Sequence, residues 1–85
     1  QISRFFVFFM KQRDLQDCIN DKLEKYFSDL NGEKANGVFK MVTNQAESTT
    51  LKFVLDKVNH NHSEAARILG INRATLKKKA ALYKL

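Results

Sequence analysis

The 85 residues include no proline and no tryptophan, one cysteine and only three glycines. A lone thiol, Cys18, leaves no internal disulfide and no second cysteine for a zinc site, so a reducing, cytosolic compartment fits best. There is no glycine-rich phosphate loop, no serine, histidine and aspartate set whose placement the sequence supports, and no pair of carboxylates in an apolar setting. No enzyme and no cofactor are therefore expected. His60 and His62 have no cysteine or carboxylate cluster near them beyond Glu64, so they read as a polar turn and no metal is expected. The uninterrupted apolar run at residues 5–9 is far shorter than the roughly 20 residues needed to span a bilayer, and it lacks the small-residue cleavage site of a signal peptide. No membrane partner is expected. That run does not alternate like a half-buried strand either. Three readings of it stay open: sequence upstream of a translation start at Met10, a β-like arm that packs on a partner, or a hydrophobic anchor lying on a surface.

Apolar residues make up 44% of the chain and charged residues 28%, which is globular rather than disordered. At this length folding buries only about 60 to 65% of the surface the unfolded chain exposes, so a lone monomer is marginal. The formal net charge of +6 is unevenly spread. Arg4, Lys11 and Arg13 give the first 13 residues +3, and the near-balanced stretch 14–60 carries −2. Residues 61–85 carry +5, from Arg67, Arg73, Lys77, Lys78, Lys79 and Lys84 against Glu64. A positive field at the two ends points to a scaffold followed by a module for an anionic partner.

Leu15, Ile19, Leu23, Tyr26, Phe27 and Leu30 recur at spacings of three and four, with charged residues on the other faces. They predict a helix with Asp14 as its N-cap and Asn31-Gly32 as its stop. Cys18 falls at the edge of this stripe and is expected to be a small buried hydrophobe. After the loop "NGEKANG", a longer helix is predicted over 38–58. Val38, Phe39, Val42 and Ala46 form its first apolar stripe, and Leu51, Val54, Leu55 and Val58 continue it. The polar, β-branched interruption Ser48-Thr49-Thr50 lowers helix propensity and predicts a bend or a loosened turn. Two amphipathic helices cannot close a core alone. The economical solution pairs them with the same helices of a second chain, giving a dimer core of Leu15, Ile19, Leu23, Tyr26, Phe27, Leu30, Val38, Phe39, Val42, Leu51, Val54, Leu55 and Val58.

Two short helices follow. Asn61 with Glu64 three residues on reads as a capping box, Ser63 being the competing cap, and Gly70 ends the first helix. Ile71 is an apolar turn residue and Asn72 a second N-cap. In the second helix Leu76, Ala80 and Tyr83 share one face, while Ala74, Thr75, Lys78 and Leu82 point the other way. Two short helices joined at Gly70, the second basic on its outer side, make a helix-turn-helix whose second helix suits a DNA major groove.

The block "NHSEAARILGINRATLKKKAALY" resembles the carboxy-terminal helix-turn-helix of the bacterial Fis family, the factor for inversion stimulation, and more distantly the matching module of enhancer-binding activators. "YFSDLNG" at residues 26–32 resembles the family's first-helix ending, and the resemblance covers roughly residues 15–85. It implies an intertwined dimer whose paired helix-turn-helix units bind and bend DNA with loose sequence preference. Carried over by residue, Asn72, Arg73 and Thr75 match positions that enter the groove or meet the adjacent backbone, with Arg73 the candidate reader of a guanine edge. Lys77, Lys78 and Lys79 match the basic run, and Asn61 and Ser63 match positions that meet phosphate. Departures are Thr49 where many members have proline, neutral Ala81 and Leu82 where the family is often basic, and Lys84 in place of the usual glycine. The family's long amino-terminal arm has no recognisable match, which speaks against stimulation of recombinases.

The sequence thus predicts an all-α chain of four helices. Residues 1–13 form an arm or extension, 14–59 the dimerisation helices and 60–85 the helix-turn-helix. Its expected role is a nucleoid-associated regulator in the bacterial cytoplasm that binds double-stranded DNA as a homodimer, with RNA polymerase as a further candidate partner. The alternative is a helix-turn-helix that docks on a polymerase, activator or recombinase.

Overall fold

The structure, a computed structural model, describes residues 12–85. The readings of residues 1–11, including the arm, Arg4 and the apolar run, lie outside the described residues. All regular structure described is helical: α1 (Gln12–Ser28), α2 (Val38–Lys57), α3 (His62–Leu69) and α4 (Arg73–Tyr83). The expected all-α architecture of four helices is what the described residues adopt. No helix among the described residues is long and apolar enough to cross a membrane. The chain divides into two compact units at Val38 and Phe39, so the first residue of α2 closes one unit and the rest of that helix opens the other.

In the first unit, α1 starts at Gln12, two residues before the expected cap. Asp14 lies inside the first turn instead, where its carboxylate complements the helix dipole. The helix ends at Ser28, and Asn31 and Gly32 take left-handed backbone at φ 52° and 87° to turn the chain away. The Tyr26 hydroxyl reaches the backbone of Asn36, 3.4 Å from its oxygen and its nitrogen, and the ring meets Phe27 edge-on with centroids 5.5 Å apart. No residue of this unit that the structure describes is fully buried. Leu15 is 59% exposed and Phe27 53%, and Cys18 is exposed too, against the expectation that it is covered.

In the second unit, α2 runs unbroken through Ser48, Thr49 and Thr50. The Thr50 hydroxyl donates to the Ala46 carbonyl at 2.7 Å and that of Ser48 to Gln45 at 3.2 Å. These side chains bond back onto their own helix, which stays α-helical from Val38 to Lys57. Leu51 and Leu55, at 3% and 0% exposure, form a core with Ala65 and Ala66 of α3 and Leu76 and Ala80 of α4. Val54, Val58, Leu69, Ile71, Tyr83 and Leu85 pack around it. The chain's own helix-turn-helix thus covers Leu51 and Leu55, which the sequence pattern groups with the dimer core. Alanines on α3 and α4 let backbones approach α2 closely, and each buried leucine contributes about 1.5–3 kcal/mol.

Candidate nucleic-acid interface

The turn from α2 to α3 is tight. Asn59 and His60 both adopt left-handed backbone, at φ 53° and 61°, a conformation that costs roughly 1–2 kcal/mol for a residue with a side chain. The His60 amide offsets this by donating to the Leu55 carbonyl at 2.8 Å. The Asp56 carboxylate meets Lys52 at 3.0 Å and His60 at 3.2 Å, so the histidine is held in a hydrogen-bond network. The Lys52 hydrogen bond, and secondarily that of His60, hold the Asp56 carboxyl below its ordinary value against a partial opposing effect of desolvation. Among the described residues no group of three histidine, cysteine or carboxylate side chains is arranged to hold a metal ion.

This turn delivers Asn61 as the N-cap of α3, in extended backbone, its Oδ1 accepting from the Glu64 amide at 3.2 Å. Only half of the expected capping box forms. Glu64 turns outward to Arg67, whose Nε lies 3.1 Å and whose terminal nitrogen 2.5 Å from the carboxylate. That hydrogen bond, more than the charge itself, lowers the Glu64 carboxyl and raises the Arg67 guanidinium. Ser63, the competing cap, is inside the helix and exposed. Gly70 closes α3 at φ 72°, its amide donating to Ala66 and Arg67. Asn72 then caps α4, Oδ1 accepting from the Ala74 amide at 2.7 Å.

On α4 the buried face is Leu76 and Ala80, at 0% and 5% exposure. Residues two positions apart on a helix lie about 160° apart around its axis, so burying Leu76 turns Ala74 and Lys78 toward solvent. Arg73, Thr75, Lys77 and Lys78 are all exposed, as are Asn61, Ser63 and Asn72. Seven of the eight candidate residues therefore stand at the surface, in the first turn of α3 and along the outer side of α4.

Lys79 is the exception. Its ammonium lies 2.6 Å from Oε1 of Glu47 on α2, and the other carboxylate oxygen of Glu47 accepts from the Tyr83 hydroxyl at 2.5 Å. The Lys79 hydrogen bond foremost, and then that of Tyr83, pull the Glu47 carboxyl below its ordinary value, and the bond to Glu47 raises the Tyr83 phenol. Sequence reasoning grouped Lys79 with its neighbours and left Glu47 out. Nothing within α4 marks the pairing, because the partner is 32 residues away in the chain. The Lys84 position is informative as well: it takes left-handed backbone at φ 57° as the C-cap of α4, a conformation that glycine adopts without steric cost.

The outer side of α4 thus presents a planar arginine fork, two ammonium groups, a hydroxyl and a helix N-terminus. All of these suit a partner rich in anionic hydrogen-bond acceptors. The family profile described as "Bacterial regulatory protein, Fis family" matches residues 44–82, which take in most of α2 and all of the helix-turn-helix up to Leu82. A Fis-like DNA-binding protein of Neisseria meningitidis serogroup A is 46% identical over 66 residues, spanning 78% of this chain and 84% of its own. One from Ralstonia nicotianae is 41% identical over 70 residues, 82% of this chain and 91% of its own. The DNA-binding protein Fis of Proteus mirabilis is 36% identical over 72 residues, 85% and 74% of the two chains. Identity at that level, running over both units, agrees with the helix-turn-helix built from residues 61–83. This chain belongs to the Fis family of bacterial regulatory proteins.

Proposed function

We propose that the chain is a DNA-binding regulator that engages double-stranded DNA as a homodimer and bends it, acting at the nucleoid in the bacterial cytoplasm. The observation that carries this reading is the outer side of α4, where Arg73, Thr75, Lys77 and Lys78 stand exposed on a helix whose other face is locked into a core. Relatives of this chain carry DNA binding in their names. Arg73 is assigned to a base edge in the major groove. Lys77 and Lys78 are assigned to phosphates, and Asn61, Ser63, Asn72 and Thr75 to the backbone beside the groove, where capped helix N-termini favour negative charge.

The dimer is supported by apolar side chains that this chain leaves uncovered: Leu15 and Phe27 on α1 and Phe39 on α2, the last 80% exposed. A second copy presenting the same faces completes a four-helix core by two-fold symmetry. Bending follows if the two copies of α4 lie closer together than one DNA turn, about 34 Å, since both then dock only on curved or groove-compressed DNA.

Analytical ultracentrifugation with and without a duplex of roughly 30 base pairs, about three helical turns, reads oligomeric state and stoichiometry together. One dimer per duplex is expected. Arg73→Ala is expected to cost about 1–3 kcal/mol and to flatten sequence preference. Lys78→Ala should weaken all sequences alike and make the salt slope shallower by about 1. Equal losses with no change in preference would remove Arg73 from base reading, and absence of duplex binding at low salt would overturn the DNA reading. Gel mobility that does not change as the site moves along a fragment would exclude bending.

A further inference from the structure

Glu47 lies on α2, well outside the helix-turn-helix, yet it is the side chain of the second unit with the most polar contacts to α4. Its two carboxylate oxygens reach different residues of that helix: Oε1 takes Lys79 at 2.6 Å, and Oε2 takes the Tyr83 hydroxyl at 2.5 Å. Lys79 and Tyr83 are four residues apart, so they sit one turn above the other beside the buried face of Leu76 and Ala80. Asn44, one turn before Glu47 on α2, stands 3.4 Å from the same hydroxyl.

The remaining described contacts that hold α4 are apolar, and the residue that packs at the second buried position is an alanine. Apolar packing is non-directional, so a leucine and an alanine resist separation of the helices better than they resist rotation of α4 about its axis. Rotation is the coordinate that matters for recognition. Side-chain atoms lie about 5–6 Å from a helix axis, so a turn of about 20° displaces them by about 2 Å. That displacement is several times the width, about 0.5 Å, of the window of about 2.7–3.2 Å in which a hydrogen bond forms. A carboxylate that grips two successive turns of α4 opposes this rotation. The same grip gives Lys79 an internal counter-ion, whereas among the described residues no acidic side chain lies within ion-pair distance of Lys77 or Lys78.

We infer that Glu47 is a positioning residue for DNA recognition: by bridging Lys79 and Tyr83 it fixes the rotation of α4, aims Arg73 and Lys78, and withholds Lys79 from the phosphates. This rests on the DNA-binding reading above. It predicts that the basic run acts unequally, with Lys77 and Lys78 neutralising phosphate and Lys79 spent within the protein.

The test measures binding of the full chain to two duplexes, one enriched from a random pool and one of the same composition shuffled, across a salt series. Glu47→Gln keeps the side chain's size and removes its charge. It is expected to reduce discrimination between the duplexes about five- to tenfold, a partial loss of what one base contact supplies. It should also steepen the log–log salt slope by about 0.9 for each chain bound, as Lys79 is released to a phosphate. Tyr83→Phe should reduce discrimination and leave the slope alone. Lys79→Ala should leave the slope of the parent chain alone but cancel the extra slope in the Glu47→Gln background. A general loosening of the fold would move neither slope in this residue-specific way, and helicity by circular dichroism reports any such loosening separately. The inference is overturned if Lys79→Ala makes the parent slope shallower as much as Lys78→Ala does, or if Glu47→Gln changes neither quantity. Failure of the parent chain to bind either duplex at low salt overturns the DNA reading itself, and the inference with it.

Discussion

Leu55 in the second unit is 0% exposed, while Phe27, a larger apolar side chain in the first, is 53% exposed. Both lie on stripes with the same three-and-four spacing, and by pattern alone both belong to a core. The difference lies in what each helix has within reach. α2 has two short helices rich in alanine folded back on it, and Leu51 and Leu55 are covered from within the chain. α1 is followed by a loop in which Tyr26 finds only a long hydrogen bond to Asn36. A helical hydrophobic stripe states that a face needs covering; it does not state whose atoms cover it.

The sharpest way to break the comparison is to cut a cavity in the covered unit. Leu55→Ala removes a side chain with no exposure from the junction of α2, α3 and α4, and is expected to cost about 2–5 kcal/mol in urea unfolding. In a chain this small that is a large share of the total, so the helix-turn-helix should be substantially unfolded at room temperature. Leu15→Ala, measured at concentrations where the chain is dilute, should cost far less. Equal costs would mean that the exposure contrast does not reflect stability in solution.

A smaller effect per chain is expected at Phe39, 80% exposed on the first turn of α2. If a second copy covers it, Phe39→Ala loses about 1.5–3 kcal/mol of burial in each of two symmetric chains, and self-association weakens by about 100-fold or more. Sedimentation across a concentration series reads this directly. An unchanged dimer would place the subunit contact elsewhere, while loss of dimer with a monomer of unaltered helicity would separate self-association through Phe39 from the folding of the second unit.

The helix-turn-helix was largely legible because its signals are local. Asn61, Gly70 and Asn72 do at their own positions what capping chemistry requires, and Leu76 and Ala80 follow from a spacing of four. At Ser48, Thr49 and Thr50 propensity counts the cost of a hydroxyl without the bond it makes to the preceding turn, here Thr50 to Ala46, and the helix continues through all three. Leu51 and Leu55 were given to a partner because the pattern on α2 cannot distinguish a neighbour 20 residues on from a neighbour in another chain. The same blindness to distance hides Glu47, whose partners Lys79 and Tyr83 lie on another helix. Cys18 illustrates the remaining case, a residue at the edge of a stripe that its own chain leaves exposed.

The smallest expected effect separates the units by pH. Glu47, Asp56 and Glu64 all belong to the second unit, and the folded chain holds each carboxyl below its ordinary value through hydrogen bonds to Lys79, Lys52 and Arg67 respectively. A carboxyl whose folded value is lowered lends stability that is complete above its unfolded value and is lost as pH falls through the folded one. Tyr83 runs the other way. Its phenol is raised by the bond to Glu47, so what it lends is complete below the ordinary tyrosine value and is lost as pH rises through the raised one. The Glu47 bridge is therefore intact across a window bounded by carboxylate protonation at the acid end and phenol ionisation at the alkaline end. All these groups are at least partly open to water, which keeps the effect on melting temperature modest. Phenolate absorbance isolates it cleanly: Tyr83 should titrate above the ordinary tyrosine value in the parent chain, and Glu47→Gln should bring it back toward that value while making the acid-side fall in melting temperature shallower. A Tyr83 titration indifferent to Glu47→Gln would show that the carboxylate does not hold the phenol in solution, and would leave the Lys79 ion pair and the apolar packing of Leu76 and Ala80 to fasten α4.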